Sequence, residues 1–118
     1  MLKSFQELIV WQKAHCLTLK IYQLSKEFPK EEIFTLTSQI RRASISVESN
    51  IAEGFSRRSS KESKRFYYMA NASLEETKCQ LLIAKDLKYL SERELQEVYN
   101  IAEEVGKLLN SWIKSQKA

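Results

Sequence analysis

The chain has 118 residues, enough for one domain (residues 1–118) around a single hydrophobic core. Two Gly and one Pro leave little material for turns, so the chain reads as a few long elements. Wholly apolar runs such as Leu81 to Ala84 are far short of the roughly 20 residues a membrane span needs, which excludes a membrane helix. The formal net charge of +4 is concentrated: Arg57 to Arg65 holds five cations and one carboxylate, an excess equal to that of the whole chain.

Three capping boxes mark helix starts: Ser4 with Glu7, Ser59 with Glu62 and Ser91 with Glu94. A fourth start falls at Pro29-Lys30-Glu31-Glu32, where Pro suits a first turn and acidic residues complement the positive helix end. Helix one is expected from about Phe5 to Glu27. Its seam is Val10, Ala14, Leu17, Ile21, Leu24 and Phe28, at steps of four and three. Helix two runs from about Lys30 to Phe55. Helix three runs from about Ser60 to Leu90, on Tyr67, Ala70, Leu74, Thr77, Leu81 and Ala84. Helix four runs from about Glu92 to Lys114, on Leu95, Val98, Ala102, Val105, Leu109 and Trp112. Short connections force antiparallel neighbours, so the expected fold is all-α, an up-down-up-down antiparallel four-helix bundle.

Two helices carry surplus stripes: Trp11, His15, Thr18 and Tyr22 on helix one, and Phe66, Met69, Ser73, Gln80, Ile83 and Leu87 on helix three. They imply either a broad core face or a surface for another subunit. Met1 to Phe5 has one Lys and no apolar block behind it, so no secretory signal is visible and a cytoplasmic location is expected. Cys16 and Cys79 are then expected as reduced, buried thiols.

Residues 39–54 are the most informative stretch. Ile40, Ala43, Val47 and Ile51 keep a core period, but Arg42, Ser46, Ser49 and Glu53 form a second stripe at the same spacing. Ser and Asn are weak helix formers, so their density suggests a closely packed face that hydrogen-bonds its neighbour. Gln39-Ile40-Arg41-Arg42-Ala43 followed by Asn50-Ile51-Ala52-Glu53-Gly54 resembles the signature of the four-helix-bundle proteins encoded inside 23S rRNA intervening sequences. Phe5, Leu8, Trp11, Gln12, Phe28-Pro29, Leu36, Ser73-Leu74, Glu76 and the Ala84 to Leu90 region extend the match over essentially the whole chain; Val47-Glu48 departs from it. The same family resemblance takes in the accessory variability protein of diversity-generating retroelements. It implies a homo-oligomer, a pentameric ring, with RNA or DNA and a reverse transcriptase or other ribonucleoprotein component as partners. It also implies that Gln39, Arg41, Arg42, Ser46, Asn50, Glu53 and Gly54 form a structural and oligomer motif.

Catalytic chemistry finds little footing. His15 and Cys16 are adjacent and diverge by about 100° on a helix, so they make no nucleophile–base pair. His15 is preceded at i−3 by Gln12, not the Glu a di-iron bundle uses, and Gly54 and Gly106 belong to no phosphate loop. No enzyme, cofactor or metal site is expected. Arg42 and Glu53 lie eleven residues apart, roughly 16 Å along one helix, and do not touch. Arg41 and Arg42 read as partners of a carboxylate across helices or subunits, with Glu48 a candidate, or as nucleic-acid contacts. Asn50 reads as a polar anchor on a packed face, or as solvent-exposed. Arg57, Arg58, Lys61, Lys64 and Arg65, with Tyr68 next on one helical line, form a basic patch beside an aromatic. It suits phosphates and a stacked base, and otherwise is a solubilising turn. The functional expectation is a non-enzymatic oligomeric nucleic-acid or ribonucleoprotein-binding accessory; the alternative is a protein–protein scaffold that binds no nucleic acid.

Overall fold

Helix boundaries depend on which side chains find the free backbone groups at each end. In the computed structural model, which describes residues 1–116, α1 spans Ile9–Ser25, α2 Leu36–Phe55, α3 Ser60–Asp86 and α4 Glu92–Ser115. Ser91 and Glu94 close the expected capping box completely: the Ser91 Oγ accepts the Glu94 N–H at 3.0 Å, and the Glu94 carboxylate accepts the Ser91 N–H at 2.9 Å. At Ser59 only the first half forms, with the Glu62 N–H donating to Oγ at 3.2 Å.

The other two starts differ from expectation. Ser4 caps a 3-10 turn, Phe5–Glu7, and Glu7 takes the Lys3 N–H instead of reaching Ser4. The chain then extends at Leu8 and α1 begins at Ile9. This kink folds Leu8 into the core and lays Phe5 edge-on against Trp11, with centroids 5.0 Å apart. Pro29 likewise opens only a 3-10 turn, Lys30–Glu32. Glu32 serves the next helix from outside. Its carboxylate accepts the Leu36 N–H at 3.3 Å, the Thr35 hydroxyl at 2.5 Å and the Tyr89 hydroxyl at 2.8 Å. Helix three stops at Asp86, not Leu90. Lys88 takes φ 67, its N–H donates to the Lys85 carbonyl, and the Tyr89 N–H donates to the Ala84 carbonyl, a Schellman termination.

Cross-helix bonds fix the directions. Thr18 donates to the Ser44 carbonyl and Arg41 to Ser25 between α1 and α2; Ser63 donates to the Gly54 carbonyl and Ser46 meets Ser73 between α2 and α3. Asn71 with Asn110, and Lys78 with Glu103, join α3 to α4, and Lys13 with Glu104 joins α4 to α1. Every pair runs antiparallel, and each helix packs on two others in the cycle α1–α2–α3–α4–α1, giving an all-α up-down-up-down bundle of 44 × 25 × 21 Å. The seams of α1 and α3 are buried throughout; on α4 the ends of the seam, Leu95 and Trp112, are only partly buried. The expectation of buried thiols fails: Cys16 and Cys79 are free but exposed, because each sits just off its seam on the outward side of its helix. One end of the bundle gathers the N-terminal segment, the α2–α3 turn and the end of α4. The other gathers the α1–α2 connection and the α3–α4 turn, joined by the Glu32–Tyr89 bond.

Candidate nucleic-acid interface and the polar face of helix two

The polar residues of α2 divide between its two neighbours. Toward α3, Asn50 donates to the Ser46 carbonyl at 2.9 Å and to the Ser46 Oγ at 3.0 Å, and Ser46 meets the Ser73 hydroxyl at 2.9 Å. Asn50 is therefore a half-buried polar anchor within its own helix. Gly54 is where α2 and α3 come closest. A Cβ there would collide with the Tyr67 ring and lie 3.0 Å from the Ser63 carbonyl oxygen. Tyr67 is itself buried, and that burial pushes its phenol up.

Toward α1, Arg41 finds no carboxylate. Its Nε donates to the Ser25 hydroxyl at 2.8 Å and its guanidinium lies 4.6 Å from the Tyr22 ring centre. Glu48 is taken by His15, at 3.0 Å, while His15 stacks on Trp11 with 4.8 Å between centroids. The second stripe of helix one is thus the α1–α2 contact, leaving the neighbouring Cys16 exposed and out of reach of the imidazole pair. Arg42 and Gln39 are exposed, and neither Arg41 nor Arg42 has an ion-pair partner among the described residues.

At the opposite end of α2 the basic turn is built unevenly. Arg57 pairs with Glu53 one turn back and covers the Phe66 ring at 4.4 Å, so much of its charge and surface is committed locally. Sequence spacing places Phe66 only on an apolar stripe; an aromatic nine residues after an Arg across a tight turn is the signal for this contact. Arg58, Lys61 and Arg65 are exposed and Lys64 partly so, and no carboxylate pairs with any of them among the described residues. Lys61, Lys64, Arg65 and Tyr68 succeed one another at steps of three, one and three, so they share one face of the first two turns of α3. Tyr68 is 58% exposed, its ring free to stack.

Several cations elsewhere are paired, among them Lys13 with Glu104 and Lys85 with Glu92. Lys78 sits between Glu75 and Glu103, at 3.3 and 2.7 Å. Burial pulls its ammonium down, but the bonds from Glu103 and Glu75 outweigh it and hold it above its ordinary value. Glu75, Glu103 and Glu104 are ion-pair partners. Among the described residues no helix is long and apolar enough to cross a membrane.

Comparison with known proteins gives two likenesses. The sequence model of the 23S rRNA-intervening sequence proteins matches residues 6–111. A crystal structure of a protein of unknown function from the S23 ribosomal protein family of Bacteroides thetaiotaomicron is 25% identical. It superposes with a TM-score of 0.83 over 91% of this chain and 100% of its own. No curated protein matches the chain.

Proposed function

Because the chain belongs to the 23S rRNA-intervening sequence protein family, we propose that it is a non-enzymatic cytoplasmic accessory that holds RNA or DNA by the phosphate backbone and assembles as a homopentameric ring. One observation carries the binding reading: Lys61, Lys64, Arg65 and the exposed Tyr68 share a face with no carboxylate paired to it, while cations such as Lys13, Lys78 and Lys85 are neutralised. Arg58 adds to this face from the turn. Arg57 supports it by packing on Phe66 and contributes less charge than its sequence position suggests. A helical face of cations with one aromatic suits phosphate contacts and a stacked base, and it contains no element that reads base edges in a groove.

The test is fluorescence anisotropy with structured RNA and with duplex DNA at two salt concentrations. If about four phosphates are neutralised, raising salt from about 50 to 200 mM weakens duplex binding about a hundredfold. The triple variant Arg58→Glu, Lys61→Glu, Arg65→Glu spares the Arg57–Phe66 packing and should abolish binding with the helical CD spectrum unchanged. If the wild-type protein fails to bind at the lower salt, or the triple variant binds equally well, the basic face is a solvated turn. The protein is then a scaffold for protein partners alone.

A further inference from the structure

The α1–α2 connection carries a second basic site, more than 20 Å along α2 from the basic turn on the roughly 1.5 Å rise per residue between Arg42 and Arg57. Two adjoining surface cavities of about 420 Å³ each lie there, and both are bordered by Ile33, Thr37 and Arg41. One adds Arg42, Ser38 and Tyr22; the other adds Lys26 and Lys30. Neither is lined by a single acidic residue. Of the nearby carboxylates, Glu32 is engaged by Thr35, Leu36 and Tyr89 and Glu48 by His15, while Glu27 and Glu31 line neither cavity.

We infer that these joined cavities bind a polyphosphate group, with Arg41 as the shared clamp. Four cations without counter-ions, in a concave site at the positive end of α2, match the three or four negative charges of a di- or triphosphate. A single phosphate would neutralise only half of them. Arg41 is held in place before any ligand arrives. Ser25 takes its Nε and Tyr22 supports its plane, so its terminal amino groups are left to donate. Thr37 is 2% exposed and borders both cavities, so it forms the floor they share. Tyr22, Ile33 and Ile45 give the site apolar walls, room for whatever carries the phosphates.

The experiment is calorimetric titration of the whole chain with inorganic tripolyphosphate, ATP and adenosine. We expect one site per chain for tripolyphosphate and ATP and none for adenosine. ATP binding more tightly than tripolyphosphate assigns the site to a nucleotide. Equal binding, with competition by RNA bearing a 5′-triphosphate but not by its 5′-hydroxyl twin, assigns it to an RNA end. Arg41→Gln should weaken tripolyphosphate at least about tenfold. Arg42→Gln, at an exposed position with no folding role, should weaken it about fivefold. The triple variant of the basic turn should change it less than about twofold, which separates this site from the nucleic-acid face. The inference is overturned if tripolyphosphate does not bind at millimolar concentration, if Arg41→Gln and Arg42→Gln bind as the wild type does, or if adenosine binds as well as ATP. Equal loss in the turn variant overturns it too, since that marks diffuse attraction to a basic protein.

Discussion

Gly54 and Glu32 show how single residues decide the bundle. A glycine inside a helix ordinarily costs about 1 kcal/mol against alanine. Here it is required by space, since the added methyl of Gly54→Ala meets the buried Tyr67 ring and the backbone carbonyl of Ser63. The Ser63 hydroxyl donates to the Gly54 carbonyl at 2.7 Å and resists any separation of the two helices. Overpacking of this kind costs about 1–3 kcal/mol, so Gly54→Ala should be net destabilising in urea unfolding. A midpoint equal to or above that of the wild type would refute the close approach. Glu32 predicts a pH dependence. The Thr35 hydroxyl, then the Tyr89 hydroxyl and the Leu36 N–H, hold its carboxyl below the ordinary 4.5. A carboxyl depressed in the folded state adds stability that is complete above its unfolded value and is lost as pH falls through the folded one. The same bond holds the Tyr89 phenol above its ordinary 10.0, so that contribution is present below that value and disappears as alkaline pH ionises the phenol. The melting temperature should therefore fall below about pH 4.5 and above about pH 10, and Glu32→Gln should flatten both limbs. Identical profiles for variant and wild type would remove Glu32 from the account.

At the scale of elements, the seams of α1 and α3 are legible in sequence because a core period of three and four survives whatever surrounds it. The ends are not. Ser4 and Pro29 carry the chemistry of helix starts, but each opens only a 3-10 turn, because Leu8 and Glu32 have tertiary roles that sequence spacing does not encode. The end of α3 is hidden for a related reason. Its signal is usually a glycine in the left-handed region, and here Lys88 occupies that position at φ 67. The site is legible in part. The run of cations from Arg57 to Arg65 is plain, whereas the Arg57–Glu53 pair and the meeting of Lys26 and Lys30 with Arg41 depend on the turn and the packing of α1 on α2. Lys88 gives the prediction at this scale. It is exposed and makes no ion pair among the described residues, so Lys88→Gly removes only a conformational cost. Stability should rise by about 1 kcal/mol. A loss on thermal melting would mean that the side chain has a contact unseen in the isolated chain.

At the scale of the molecule, α3 carries more apolar surface than a lone bundle uses. Met69, Ile83 and Leu87, three members of its surplus stripe, are 43–50% exposed, and Ile45 on α2 is 40% exposed. The core is already complete without them, since every member of the α3 seam is buried. Apolar side chains spread along one helix, beside the neutral Ser46–Asn50–Ser73 contact, suit burial against a second copy better than solvent. The proposed ring of five chains of 13.8 kDa has a mass near 69 kDa in sedimentation. Met69→Glu with Ile83→Glu should reduce it to the 13.8 kDa chain while helical CD is preserved, because neither side chain supports the core. The same variant should then bind RNA more weakly by about 10²–10⁴, since one strand no longer engages several basic faces at once. Its residual binding should keep the salt slope of a single face. A wild-type protein that sediments as a single chain at micromolar concentration refutes the ring. A monomeric variant with undiminished RNA affinity refutes the link between assembly and binding, leaving each chain to act alone through Arg58, Lys61, Lys64 and Arg65.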